Sequence, residues 1–238
     1  MATKKSSGIF SVNVLKFIAM TAMVMDHGSV MFIGSGQTAW RIIGRIAFPI
    51  FAFLIAEGAV HTKDKLKYAA RLLAFAFISE VPYDIAFNGT WLEFKDQNVY
   101  FTLFLGLLSV YVLDFLRKKR LGALGVVTTF AFGFVATSLS SDYALMGVVI
   151  ITLMYMFNGV KTGSRYVGFA LAGLASCFVY KYPFDIGIVS SQVYAALCFI
   201  PLSLYNGRRG RKMNKYFFYA FYPAHILVLY VIKLLISG

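Results

Sequence analysis

The chain has 238 residues, of which 59% are hydrophobic and only 14% charged, and that balance excludes an ordinary water-soluble domain. A formal net charge of +13 suggests a nucleic-acid binder until the charges are placed: most fall in alternate short loops, so they report membrane topology and exclude a nucleic-acid partner. The apolar runs are continuous and about 17–25 residues long, which is helix length and not the alternation of a β-barrel strand.

In chain order the spans fall at 9–33, 41–60, 66–87, 98–116, 121–139, 142–158, 163–180, 190–206 and 214–236. The start, Met1–Lys5, leads straight into the first span with no small-residue cleavage site, so no cleaved signal peptide is expected. Lys4, Lys5, Lys63, Lys65, Lys67, Arg71, Arg117, Lys118, Lys119 and Arg120 fall on one side of the alternation. Lys161, Arg165, Arg208, Arg209, Arg211, Lys212 and Lys215 fall there too. The positive-inside rule makes that side cytoplasmic. The expectation is an all-α, polytopic transmembrane bundle of about nine spans, one integral-membrane unit over 1–238. Its N-terminus lies in the cytoplasm and its C-terminus outside. The longest outer loop, 88–97, holds Trp91, Glu93, Phe94, Lys95 and Asp96, as interfacial anchors or as a cap over an outward site. No internal repeat of the kind that marks many secondary transporters is evident. Cys177 and Cys198 sit in apolar spans without a ligand pattern, and a structural role is expected of both.

Ionisable residues inside spans are costly and mark functional sites. Lys16 and His27 lie eleven residues apart in the first span, on one face and about 16 Å apart along the axis. Asp26 adjoins His27. The second span carries Arg41 and Arg45 one turn apart near the outer end and Glu57 near the inner end. The third has Glu80 and Asp84 on one face with Pro82 between them, a residue that removes a backbone donor and opens room. Asn98 and Thr102 begin the fourth span, and Tyr222, Pro223 and His225 lie mid-depth in the last. These residues can converge on one polar chamber in the outer half of the bundle. Bland readings stand beside that one. Arg41 and Arg45 pair with Glu80 or Asp84, Asn98 and Thr102 serve helix packing or a cap, and His225 gives one interhelical hydrogen bond. Glu57 reads equally well as interfacial, and His61 as a solvated loop residue.

A metal is not expected, because His27 and His225 have no compact ligand spacing, and no Gly-x-Ser-x-Gly elbow marks a serine nucleophile. A histidine with a carboxylate neighbour remains, which is the equipment of a general base.

Leu15-Lys16-Phe17-Ile18-Ala19-Met20 leading to Met25-Asp26-His27 resembles the start of the TraX family of membrane proteins. The run from Arg41 through Gly44-Arg45 and Phe48-Pro49 to Ala56-Glu57-Gly58 is similar to that family as well. So are Ile78-Ser79-Glu80-Val81-Pro82-Tyr83-Asp84, Asn98-Val99-Tyr100-Phe101-Thr102-Leu103 and Tyr222-Pro223-Ala224-His225. The likeness covers essentially the whole chain and implies N-acetylation of pilin, with acetyl-CoA as donor substrate. The basic-x10-His spacing of Lys16 and His27 also resembles the first helix of acyltransferase-3 (OafA-like) membrane enzymes, although the later basic pair of those enzymes has no counterpart here.

What the resemblance implies is an acetyl-CoA-dependent N- or O-acetyltransferase of the bacterial plasma membrane. His27 is its general base, Asp26 or Glu80 orients the imidazole, and Lys16, Arg41 and Arg45 are candidates for the donor. Asp84, Asn98, Thr102, Tyr222, His225 and Glu57 support the site. The acceptor is an amine, peptide or glycan. The alternative classes are a proton-coupled transporter using His27, Glu80 and His225 as a relay, and a non-catalytic scaffold.

Overall fold

A computed structural model describes residues 8–34, 36, 38–158, 162–176 and 192–237. The described residues are mostly helical, joined by turns and loops, with two isolated β-bridges, Phe10 to Tyr205 and Gln97 to Ser141. The helices are α1 (Val12–Phe32), α2 (Ala39–Gly44), α3 (Ala47–His61), α4 (Lys65–Tyr83), α5 (Val99–Lys118) and α6 (Gly122–Ser138). They continue with α7 (Ala144–Asn158), α8 (Thr162–Ser176), α9 (Phe199–Ser203) and α10 (Lys215–Ser237). A π-helical turn, Asp84–Asn88, extends α4, and a 3-10 segment, Gln192–Cys198, precedes α9.

Among the described residues four helical stretches are long and apolar enough to cross a membrane: Val12–Phe32, Ala39–His61, Val99–Lys118 and Lys215–Ser237. The others are shorter, or, like α4, carry too much charge. The expected second span is broken, α2 ending at Gly44 and α3 beginning at Ala47. The expected eighth span is a 3-10 segment passing into a short α-helix. Of the expected seventh span, 177–180 lies outside the described residues, as does Cys177. Cys198 is fully buried.

Helix starts are set by side-chain caps: Ser11 Oγ accepts from Val14 N–H at 3.4 Å, Thr38 Oγ1 from Arg41 N–H at 3.2 Å, and Asn98 Oδ1 from Tyr100 N–H at 3.0 Å. Asp64 caps α4 through Lys67 N–H at 3.0 Å, a bond that holds its carboxyl below the usual range. α5, α6 and α7 pack as a trio. Gly125 and Gly133 let α6 close on Leu113 of α5 and Leu145 of α7. Inside the trio Ser109 Oγ lies 3.0 Å from Thr129 Oγ1 and 3.1 Å from Thr152 Oγ1, so each polar group has a partner away from water. α3 is the most enclosed stretch, set against α1, α5 and α7, with Ile50 and Phe53 wholly buried. α10 packs against α1 and α4 and is the least enclosed of the four long stretches. The chain's first and last helices therefore lie side by side.

Candidate functional site

Two histidines meet where α1 and α10 touch. His27 Nδ1 lies 2.8 Å from His225 Nε2, with the ring planes 9° apart and the centroids separated by 5.0 Å. A nitrogen-to-nitrogen contact of that length at that centroid separation sets the rings edge to edge, which is hydrogen-bond geometry rather than stacking. The other nitrogen of His225, Nδ1, donates to the Phe221 carbonyl at 2.9 Å. With both rings neutral, that bond assigns the tautomers: His225 Nε2 accepts, His27 Nδ1–H donates, and His27 Nε2 carries the lone pair. Phe87 and Tyr222 wall the His27 ring at 5.3 and 6.1 Å between centroids.

Asp26 turns to the arginines. Its carboxylate accepts from Arg41 Nη1 at 3.3 Å and from Arg45 Nη2. The expected pairing of those arginines with Glu80 or Asp84 is thus not found. The reason is local: Ser29 Oγ lies 2.6 Å from Thr38 Oγ1, which folds α2 back against α1. Gly44 then packs so closely on Asp26 that a Cβ there would fall onto it. Arg45 is buried, and both arginines keep a buried Nε without a partner.

Glu80 and Asn98 form a second buried pair. Asn98 Nδ2 donates to Glu80 Oε2 and, at 2.8 Å, to the Ala76 carbonyl. Glu80 Oε1 is buried without a partner. The structure brings Glu80 to Asn98, and the bonds of His27 and His225 run to each other and to Phe221. Asp84, fully buried, accepts from Asn88 Nδ2 at 3.0 Å and Glu93 N–H at 2.7 Å, so it organises the 88–97 loop. Trp91 and Phe94 of that loop project outward. Thr102 Oγ1 lies 2.8 Å from Ser141 Oγ and donates to the Asp142 carbonyl. The connection it holds has Ser140, Tyr143 and Ala144 in the left-handed region, at φ of 50°, 65° and 40°. Non-glycine residues pay for that conformation and keep it only where neighbours dictate it. Here Gln97 N–H donates to the Ser140 carbonyl at 3.2 Å, and Tyr143 stacks on Phe48 at 3.7 Å.

On the other side of His27 a cavity of about 530 Å3 opens toward the basic end of the bundle. It follows α1 from Val12 to Met23, about 16 Å, and stops one helical turn short of His27. Its inner end is built by Met23, Val99, Tyr100 and Tyr222, its walls by Phe51, Leu54, Ile55, Leu72 and Leu103. Lys16 lines it, with Nζ 4.1 Å from the centroid of the Phe218 ring. Arg41 and Arg45 are not among its lining residues. Tyr222 belongs to both places, closing the cavity and touching the His27 ring. Its hydroxyl is buried beside Val99 N–H but makes no hydrogen bond of good geometry, so its proton is left to donate.

Glu57 also lines the cavity, and its carboxylate is taken up by Tyr205 Oη and Asn158 Nδ2, each at 2.6 Å, and by His61 Nε2 at 3.2 Å. His61 is thus exposed yet bonded, where a merely solvated residue was expected. Arg71, Arg209, Lys215, Tyr100 and Tyr205 line the cavity without having been singled out from the sequence. Arg71 alone carried a readable signal, a cation two turns inside α4. Among the described residues no group of three or more His, Cys, Asp or Glu side chains is placed to hold a metal ion.

The sequence model of the TraX protein family matches residues 11–233. The chain is 31% identical over 245 residues to a probable fimbrial assembly protein FimC, serogroup H1, of Dichelobacter nodosus, covering 96% of this chain and 98% of that one. It is 26% identical over 199 residues to the protein RP591 of Rickettsia prowazekii (strain Madrid E), covering 82% of this chain and 69% of that protein. No solved structure matches.

Proposed function

The chain belongs to the TraX family, and on that premise we propose that it is a transmembrane acetyltransferase. It moves an acetyl group from cytoplasmic acetyl-CoA to an amine or hydroxyl acceptor reached from the membrane or the outer side. The observation that carries the reading is the placement of His27. Its Nδ1 is held by His225, which in the neutral pair leaves Nε2 as the basic nitrogen, one turn beyond the inner end of a cavity with a basic mouth.

The cavity suits the donor in size and lining. Ligand sites run to about 300–1,000 Å3 with apolar walls and few polar groups, and this one has aliphatic and aromatic walls with tyrosines at its end. Lys16, near the basic mouth, faces the donor. His27 Nε2 takes the proton of the acceptor nitrogen or oxygen as that atom bonds to the acetyl carbon. The carbon–sulfur bond breaks as the new bond forms, and the proton passes on to the departing sulfur, giving free CoA thiol. Tyr222 Oη donates to the carbonyl oxygen, where negative charge gathers in the transition state. His225 fixes the tautomer and orientation of His27, the office first considered for Asp26 or Glu80. Asp26 with Arg41 and Arg45, and Glu80 with Asn98, shape the acceptor side.

In this reading the basic end is cytoplasmic, and the helical stretches cross a bacterial plasma membrane nine times, with α2 and α3 forming one crossing and the 3-10 segment with α9 another. The Dichelobacter nodosus relative is described as a fimbrial assembly protein, which supports a pilin-class polypeptide as the acceptor.

The test is thiol release from acetyl-CoA by the purified protein in lipid nanodiscs, with acetylated products of cells with and without the protein identified by mass spectrometry. Release that vanishes in His27→Ala supports the reading. Acetyl-CoA neither bound nor consumed, together with a solute flux that His27→Ala abolishes, would put a proton-coupled transporter in its place.

A further inference from the structure

Four cations surround the basic mouth of the cavity: Lys16 on α1, Arg71 on α4, Arg209 on the connection before α10, and Lys215 at the start of α10. Among the described residues none of them has an ion pair with a carboxylate. Among the described residues Glu57 is the one carboxylate in the lining, and its oxygens are occupied by Tyr205, Asn158 and His61. Arg71 keeps a buried Nε without a partner, its guanidinium 5.8 Å from the centroid of the Tyr68 ring. Lys16 and Arg71 are half-buried and Arg209 and Lys215 exposed. Unneutralised cations from separate elements thus converge on one opening from its walls and its rim and raise the potential there for an anion.

The backbone holds the arrangement. Residues 207–212 are strapped across the start of α1. Val12 N–H donates to the Arg208 carbonyl at 2.9 Å, Asn13 N–H to the Arg209 carbonyl at 3.3 Å, and Asn13 Nδ2 to the Arg211 carbonyl. The strap turns at Gly207 and Gly210, with φ of 73° and 82°, and at Gly210 a Cβ would strike Ser11. Of its basic residues only Arg209 faces the cavity, while Arg208, Arg211 and Lys212 stay outside it. Topology accounts for positive charge on this side of the membrane. It does not account for one arginine of the strap lining the cavity mouth beside Lys16, on backbone tied to α1.

We propose that Lys16, Arg71, Arg209 and Lys215 form a phosphate-binding collar that grips the nucleotide end of the donor, so the enzyme selects acyl groups carried on CoA over the same groups on free pantetheine. The inference rests on the acetyltransferase reading and names the part of the donor recognised and the residues that recognise it. The arginines supply planar forks for phosphate oxygens and the lysines point charges. The apolar throat beyond the collar takes the uncharged arm.

The experiment measures binding of CoA, dephospho-CoA and pantetheine to the full-length protein in nanodiscs by calorimetry, at low and high salt, alongside thiol release. In the unaltered protein CoA binds at least tenfold more tightly than pantetheine, and high salt erodes the difference. Arg71→Gln and Arg209→Gln each weaken CoA binding about tenfold and leave pantetheine binding unchanged, whereas Lys212→Gln, an equal loss of charge on the strap outside the cavity, changes neither. Equal affinity of CoA and pantetheine in the unaltered protein overturns the collar without any variant. So do Arg71→Gln and Arg209→Gln proteins that bind CoA as tightly as the unaltered one. Collar-dependent CoA binding without thiol release sinks the acetyltransferase reading and leaves the collar standing. Thiol release with equal affinities sinks the collar alone.

Discussion

The Nδ1 atom of His27 and the Nε2 atom of His225 lie 2.8 Å apart, joining residues 198 positions apart in the chain through rings set edge to edge. A neutral histidine that accepts on one nitrogen while its other donates to a backbone carbonyl is a fixed acceptor. It leaves its partner a single basic nitrogen pointing away.

His27→Ala should lower thiol release on the order of 10²–10⁴-fold, the usual worth of a general base, while the melting temperature in detergent changes little. His225→Ala removes one orienting hydrogen bond and should lower kcat by up to about tenfold with KM nearly unchanged. His225→Gln, whose amide oxygen can accept near the lost Nε2, should recover part of that loss. A role limited to packing predicts no such recovery.

Tyr222→Phe deletes a buried hydroxyl whose one polar neighbour, Val99 N–H, is poorly aligned with it, so the fold should lose little. If the hydroxyl meets the acetyl oxygen, kcat falls about 10²-fold, comparable to removal of one oxyanion donor. Unchanged kcat in Tyr222→Phe assigns the residue to closing the cavity alone.

Asp26 holds two arginines, one of them buried, between two helical stretches long and apolar enough to cross a membrane. Asp26→Ala leaves both charges unpaired and should destabilise by about 3–5 kcal/mol, read as an early unfolding transition in detergent. Replacing all three groups together with apolar residues should restore much of the stability, since an unpaired buried charge is the costly species rather than a missing pair.

Asn98 caps α5 and binds Glu80 at once. Aspartate caps a helix as well as asparagine does, so Asn98→Asp isolates the second duty. It sets two carboxylates against each other in a buried site and should destabilise more than Asn98→Ala, itself expected to cost about 2–3 kcal/mol. Chemical unfolding of the three proteins side by side distinguishes these orders.

Continuous apolar runs revealed the helical character and most element limits in the sequence, because lipid-length helices leave a strong compositional trace. Breaks were harder to see. The turn at Arg45–Ile46 lies within a stretch that reads as one span, and what causes it is Ser29 meeting Thr38 and Gly44 meeting Asp26, contacts between segments. The costly polar residues were legible singly, since each stands out against lipid. Their partners were not: adjacency suggested Asp26 for His27, yet neighbours on a helix diverge by about 100° and Asp26 faces α2 instead. Arg209 was hidden among five basic residues between 208 and 215 that topology explains equally well, and only the backbone strap across α1 separates it from them.

Because His225 follows His27 by 198 positions, the histidine pair has no counterpart in a translation product that stops between them. A ribosome stalled before α10 displays His27 without the residue that aims it. Premature release or C-terminal trimming therefore yields a membrane-inserted chain with an unaimed base. In the proposed enzyme the pair forms only once α10 has packed on α1, and a tag placed close behind Ser237 sits on the helix that completes it.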